Sequence, residues 1–404
     1  MIGFKRFLTV ALCLSLLIST VACNSGDNNK TGSGDTLSAD IETGDTVLPS
    51  EEVVDSKEDS VISNSSVVSD DETSAYSSED VSEDTTSAED STTSDDTTVD
   101  DKDEETRFSL ISPKVEYNKV WENGKMELFN TDFRMSEELA KKLERQFASF
   151  ANAQSVALIE LDTNMAFCYS KDQKIATASS IKGPMGLFAY KCIDDGVINW
   201  DTVKKYQVWH YQENSTGWVQ KSPYGTQFTV KTLMDYMIRI SDNQAYLMIK
   251  ELVGVENFEI MMAELGSTRV IPVGSNWGYI TAWEMAAVWR EIYYYSLSSD
   301  SGAELFDRFM HAQYNYIWRA IPQYEAAHKS GWSGKAFNDA GVVFADGHQY
   351  VLVILMGRSG IEDQRSHYQF NAVTRLLAEL MVEYNAYIED NSSVDTSVES
   401  EISE

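Results

Sequence analysis

Residues 340–356 read AGVVFADGHQYVLVILM. Two apolar segments, 340–345 and 349–356, are joined through Asp346-Gly347, a pair suited to the positive φ that a tight hairpin needs. They predict two antiparallel strands, and the following segment, 369–388, predicts a long closing helix. Far upstream, residues 155–161 alternate as a strand, Asp162-Thr163-Asn164 supplies a turn, and 165–169 returns. Before them, Leu139, Leu143, Phe147 and Phe150 recur at helical spacing over 136–151, with Ser136 placed as a cap. Between these outer blocks, 181–296 is mostly helical in pattern. Strands contributed by both ends of a domain around a helical insert predict an α/β sandwich, with an antiparallel sheet flanked by helices, plus a helical lobe and a cleft between the two. No internal repeat is present.

The whole chain has 404 residues and a formal net charge of −32, unevenly spread. Residues 24–106 hold 26 Asp and Glu against 3 Lys, and 389–404 hold 6 acidic residues and no Lys or Arg. The part between them, 107–388, is left only mildly acidic. No basic patch points to nucleic acid. Residues 24–106 are Ser, Thr, Asp and Glu with few aromatics; they cannot bury enough apolar surface to offset ordering, and predict a disordered, extended spacer. The acidic tail 389–404 reads the same way. The first 23 residues have Lys5 and Arg6 followed by an apolar run over 7–18, too short to span a bilayer. Thr20-Val21-Ala22-Cys23 then resembles a bacterial lipobox, with Cys23 as the lipidated residue. The expectation is an extracytoplasmic, lipid-anchored protein that acts as a monomer. Of the remaining cysteines outside the signal, Cys168 and Cys192 are compatible with a disulfide or with two buried free thiols.

Three short motifs fall in order along the predicted domain: Ser179-Ser180-Ile181-Lys182, Ser241-Asp242-Asn243 and Lys329-Ser330-Gly331. Ser179 precedes a predicted helix whose first turn accommodates Pro184. The positive end of that helix favours negative charge developing on a nucleophile. Lys182 is one helical turn on, hence beside the Ser179 hydroxyl. A lysine acts as a base only when burial or a second cation depresses its pKa, and Lys329 is the candidate second cation. Ser241 is a candidate proton relay to a leaving nitrogen, and Asn243 a holder of a substrate amide or of the Lys182 ammonium. Lys329 and Ser330 would bind a substrate carboxylate, Gly331 would permit close backbone approach, and the amides of Ser179 and Trp332 would form an oxyanion hole. Taken singly, each motif reads as a helix cap, a polar helix break or a solvated lysine. Their order and shared placement are what point to serine acyl transfer.

On these motifs the chain resembles the class A β-lactamase family, within the wider penicillin-binding, serine-reactive superfamily, over roughly residues 135–388. The stretch Gly225-Thr226-Gln227-Phe228-Thr229-Val230, the pair Asn338-Asp339 and the helix opened by Thr281 are similar to the family pattern as well. The resemblance implies a β-lactamase-like fold, a serine hydrolase in which Ser179 attacks the amide carbonyl of a β-lactam to form an acyl-enzyme with Lys182, Ser241, Asn243 and Lys329 assisting, substrate contacts at Ser330, Gly331 and Trp332, and no cofactor. Two departures stand out. The family carries a Glu that activates the deacylating water between the second and third motifs. Here residues 265–281 contain no acidic residue, and Glu264 and Glu284 only flank them. The family also often places an Arg on the strand after the third motif to anchor the carboxylate; the substitutes available are Lys335, Arg358 and Arg365. Acylation without efficient hydrolysis resembles a penicillin-binding protein more than a fast β-lactamase. The alternatives are a D,D-peptidase acting on peptidoglycan stem peptides and a catalytically idle envelope protein that binds wall peptide. The five histidines show no metal-ligand spacing; His328 reads as a packed or surface residue. Trp209, Tyr211 and Trp218 are candidates for the rim of the cleft.

Overall fold

The computed structural model describes residues 108–213, 215 and 217–401, of which 392–401 by their backbone alone. The expectations for the signal segment, Cys23 and the acidic spacer lie outside the described residues. In chain order the strands are β1 (Lys119–Asn123), β2 (Met126–Phe129), β3 (Gln154–Glu160), β4 (Ala166–Tyr169), β5 (Ile175–Ala176), β6 (Val203–Lys205), β7 (Gln227–Thr229), β8 (Tyr279–Ile280), β9 (Glu325–His328), β10 (Gly331–Trp332), β11 (Ala336–Ala345) and β12 (His348–Gly357). The main sheet is antiparallel with spatial order β1-β2-β4-β3-β12-β11-β10, and β9 pairs with β11 alongside β10. Strands from the two ends of the domain therefore meet at its centre, where β3 pairs with β12 from Tyr350↔Glu160 to Met356↔Gln154. The hairpin turns at Asp346 and Gly347, both at positive φ (52° and 92°), as the dipeptide predicts.

The unbroken apolar run in β12 has a simple cause: both faces of the strand are covered. Leu352, Ile354 and Met356 join Val156 and Leu158 in one core; Val351, Val353 and Leu355 join Ala157 and Ile159 in the other. Successive side chains point to opposite faces, so a strand between two helical layers needs apolar residues at every position. Each fully buried Val, Leu or Ile contributes roughly 1.5–3 kcal/mol relative to exposure.

The first face packs on α1 (Glu137–Ala148) through Leu139, Leu143 and Phe147, and on the long C-terminal helix. Ser136 caps α1 by accepting from the Leu139 amide at 3.2 Å. Next in chain order come α2 (Lys182–Asp194), α3 (Val230–Arg239), α4 (Asn243–Val253), α5 (Val255–Glu264), α6 (Ala282–Ser298), α7 (Asp300–Met310), α8 (Tyr316–Ala320) and α9 (Arg365–Glu401). The second face packs on α6, whose Trp289 is fully buried against Phe309 of α7. Helices α2–α5 complete the helical lobe beyond it, so the sandwich-plus-lobe architecture is present.

Helix α9 runs further than the sequence pattern indicates. It continues past Ile388, through the segment read as an acidic tail, to Glu401. No Gly or Pro interrupts residues 365–401, so acidic composition alone does not stop the backbone. Among the described residues no helix is long and apolar enough to cross a membrane. Cys168 and Cys192 are both buried free thiols.

Candidate active site

Ser179 stands on a single 3-10 turn, Ala178–Ile181, between β5 and α2. The turn begins under strain: Ala178 adopts φ +44°, where a Cβ is disfavoured, and Ser241 across the cleft does the same at +59°. Surrounding bonds hold this geometry. Asn338 on β11 donates to the carbonyls of Ala176 (2.9 Å) and Thr177 (3.1 Å), and its own oxygen accepts from the Met356 amide at 3.1 Å. Gly331 lies so close beneath the turn that a Cβ there would be 2.6 Å from the Ser179 nitrogen and 2.4 Å from that of Ser180. The missing side chain at Gly331 thus brings β10 against the nucleophile turn.

Lys182 is fully buried one turn along. Its Nζ lies 3.0 Å from Ser179 Oγ and donates to the Ser241 carbonyl (2.7 Å) and to Asn243 Oδ1 (2.5 Å), with Ser241 Oγ at 3.3 Å. Burial above all, and then the Lys329 ammonium, hold its pKa well below that of an ordinary lysine, against an opposing pull from Asp242. Lys329 is 1% exposed and donates to Ser241 Oγ (3.0 Å) and the Ser330 carbonyl (3.1 Å). Burial lowers its pKa to about 8, with Asp339 acting in the opposite sense. Ser241 Oγ thus lies between two amines. Lys182 also sits 5.5 and 5.9 Å from the ring centroids of Trp277 and Tyr246, which stack on one another.

The structure brings the three motifs together around a cleft of about 510 Å³, lined among others by Ser179, Asn243, Gln212, Trp277, Trp332 and Lys335. Lys182, Ser241 and Lys329 lie buried beneath it. Ser330 is 3% exposed and, like Gly331, is not among the residues that line the opening. Of the three carboxylate-anchor candidates, only Lys335 reaches the cleft. Arg358 is engaged by the carbonyls of Ser333, Ile361 and Asp363, and Arg365 pairs with Asp363 at 2.9 Å. The rim assignment of Trp209, Tyr211 and Trp218 is corrected: all three are exposed, and none lines the cleft, which Gln212 reaches instead. Trp209 is turned toward Glu251, to which its indole donates at 3.3 Å. His328 is fully buried between Asp339 Oδ1 (2.9 Å) and the Ala312 carbonyl (3.0 Å).

Neither flanking glutamate reaches the nucleophile. Glu284 forms a capping box with Thr281 and accepts from the amide and hydroxyl of Thr268; these bonds outweigh burial and hold its carboxyl below the usual range. Glu264 accepts from the Phe108 amide at 3.2 Å. Among the described residues no Asp or Glu lines the cleft. The loop after α5 presents Ser275, Trp277 and Tyr279 there instead.

Several residues organise the site in roles that the motifs do not indicate. Glu259 on α5 is nearly buried and accepts from the amides of Val270 (2.9 Å) and Ile271 (2.7 Å), pinning that loop. Lys250 donates to Asn276 Oδ1 at 2.6 Å and Tyr246 to its carbonyl at 2.8 Å. Asp242, the middle of the second motif, caps α4 through Ala245 and accepts from the amides of Trp218 (2.7 Å) and Val219 (2.9 Å). Its Oδ2 would lie 2.3 Å from a Cβ at Gly217, so only glycine fits that approach. The polar break between helical segments was the one sequence signal near this capping role.

A sequence profile of the Beta-lactamase enzyme family matches residues 138–381. No curated protein matches the chain. Among solved structures, the chain is similar to PBP-A at 20% identity and TM-score 0.57, over 61% of this chain and 97% of that one. A PBP-A L158E mutant, described as an acyl-enzyme complex with penicillin G, matches at 21% identity and TM-score 0.56 over 61% and 97% of the two chains. A β-lactamase from Sphaerobacter thermophilus DSM 20745 matches at 17% identity and TM-score 0.52 over 59% and 94%. These likenesses concern the fold.

Proposed function

The chain belongs to the beta-lactamase enzyme family, and from that premise we propose that Ser179 attacks the amide carbonyl of a β-lactam, or of the wall peptide it mimics, to leave a long-lived acyl-enzyme. The observation that carries this reading is the contact of a desolvated, pKa-depressed Lys182 with Ser179 Oγ at 3.0 Å, in a cleft that no described carboxylate lines. Lys182 as a neutral amine takes the hydroxyl proton while Ser179 Oγ bonds to the carbonyl carbon. The amides of Ser179 and Trp332 stabilise the oxyanion. The carbon–nitrogen bond then breaks and Ser241 delivers a proton to the leaving nitrogen, its own proton being replaced from the neighbouring lysine. Lys329, Ser330 and Lys335 attract the substrate carboxylate.

Hydrolysis of the ester requires an activated water. The residues that fill this part of the cleft, Ser275, Trp277 and Tyr279, supply no carboxylate for it. That favours a penicillin-binding reaction, with slow turnover, and keeps cleavage of a terminal D-Ala peptide as the second reading. The lipid anchor at Cys23, with its extracytoplasmic placement, and the monomeric state belong to the same proposal and rest on sequence alone.

Labelling with a fluorescent penicillin tests the acylation. The expected result is one labelled band, lost in Ser179→Ala and outcompeted by benzylpenicillin. A folded wild-type protein that takes no label contradicts it. Release of D-Ala from a stem-peptide analogue separates the peptidase reading from a purely β-lactam-directed one.

A further inference from the structure

At the end of the sheet away from the cleft, three side chains converge that the mechanism above does not use. Glu160 ends β3, Asp162 lies in the turn after it, and His348 begins β12. One oxygen or nitrogen from each lies within 4.8 Å of the other two. The Glu160 carboxylate is fully buried. Its Oε2 accepts from both the amide and the hydroxyl of Thr163, each at 2.6 Å. Its Oε1 is buried and has no hydrogen-bond partner, facing His348 Nδ1 at 3.5 Å. Among the described residues no lysine or arginine lies within ion-pair distance of either carboxylate. A buried carboxylate oxygen left bare beside a second carboxylate is costly unless a cation completes the group.

We propose that Glu160, Asp162 and His348 form a binding site for one Zn²⁺ ion, which clips the β3–β4 turn to the start of β12. Two carboxylates and one imidazole suit a borderline first-row ion; an all-oxygen ion such as Mg²⁺ or Ca²⁺ makes poor use of the ring nitrogen. The charge balances, two carboxylates against a divalent ion. Ligand-to-ligand separations in a tetrahedral zinc site are roughly 3.3–3.6 Å, given metal–ligand bonds near 2.0–2.2 Å, so the 3.5 Å Glu160–His348 gap already fits. Asp162 is exposed and His348 partly so, which leaves an entry path and a position for water. Asn338, which holds the nucleophile turn, pairs with Leu355, while His348 is seven residues back along the same strand, about 23 Å away at 3.3 Å per residue. The ion is therefore structural, and its presence is independent of acylation.

The test uses the full chain, stripped with a chelator and titrated with Zn²⁺ against a weak competing chelator that suppresses loose binding to the acidic segments. Expected are one equivalent of Zn²⁺ retained by the wild type, a rise in Tm of about 5 °C on loading, and loss of both in Asp162→Asn and in His348→Gln. Neither of those positions is fully buried, so both variants should fold. Glu160→Gln, which keeps the Thr163 contacts through one oxygen, should lose the ion too. Labelling of Ser179 by a fluorescent penicillin should be equal in loaded, stripped and variant proteins, so failure of the metal site and failure of the proposed function are read separately. Zn²⁺ uptake that is absent, or unchanged by Asp162→Asn and His348→Gln, overturns the proposal.

Discussion

Lys182 and Lys329 stand in a buried pair of amines whose pKa values both fall, and the reaction's pH dependence follows from that. Acylation needs Lys182 neutral. Its depressed pKa means that the rate stays high well below pH 10, where an ordinary lysine would be fully charged. Lys329 is useful to a substrate carboxylate only as an ammonium, so carboxylate affinity should fall as pH rises through about 8. The acylation profile is therefore a bell, measured as kinact/KI for a penicillin across pH. Replacing Lys329 by Ala removes a positive neighbour that disfavours the charged form of Lys182, so the acidic limb should move to higher pH. A limb that stays in place would show that burial alone sets the Lys182 pKa. Lys182→Ala should lower the acylation rate by about 10²–10⁴-fold, the usual worth of a positioned base. At this scale the first two motifs were legible because Ser179, Lys182, Ser241 and Asn243 each lie within three residues of a turn or cap that fixes its direction. Asp242, Asn338 and Glu259 were not legible in the same way. Each works by holding backbone that lies outside its own helix or strand, and motif spacing carries no trace of that.

The elements around the nucleophile depend on close backbone packing between β10, β11 and the strained turn before α2. Gly331→Ala should force β10 away from that turn, because the added carbon would meet two backbone nitrogens with no flexible side chain to yield. A loss of about 1–3 kcal/mol in unfolding free energy is expected, with a fall in acylation of at least about tenfold, since small misplacement of reacting groups is enough to slow chemistry. Unchanged stability and labelling would mean that the turn adapts freely. Asn338→Ala should cost about 1–3 kcal/mol by leaving the buried Met356 amide without its partner and removing a donor from the carbonyls of Ala176 and Thr177, the second of which keeps its bond from the Ser180 hydroxyl; urea unfolding reads it. The hairpin and the two-sided apolar pattern of β12 made the sheet readable. The end of α9 was not, because no glycine or proline marks a stop and the acidic residues there are compatible with a helix.

At the scale of the whole molecule, two cores on either face of one sheet hold the cleft between sheet and lobe. Among the described residues no disulfide reinforces this packing: Cys168 on β4 and Cys192 on α2 lie free in the same core, and burial pushes both thiols up, Cys192 to about 12. Neither should react with iodoacetamide until the domain unfolds, and Tm should be the same with and without reductant. Rapid alkylation of either in the native protein would contradict that packing. The architecture followed from the order of predicted elements, whereas the content of the loop facing Ser179 could be stated only as an absence of acidic residues until its placement was seen. The most direct test of the account is intact-protein mass measured through a chase: the protein is acylated with benzylpenicillin, freed of excess drug and followed over time. A single adduct on Ser179 that persists on the order of hours is the predicted result. An adduct that vanishes within seconds, with the drug hydrolysed, would show that deacylation has a competent base, and would contradict the account.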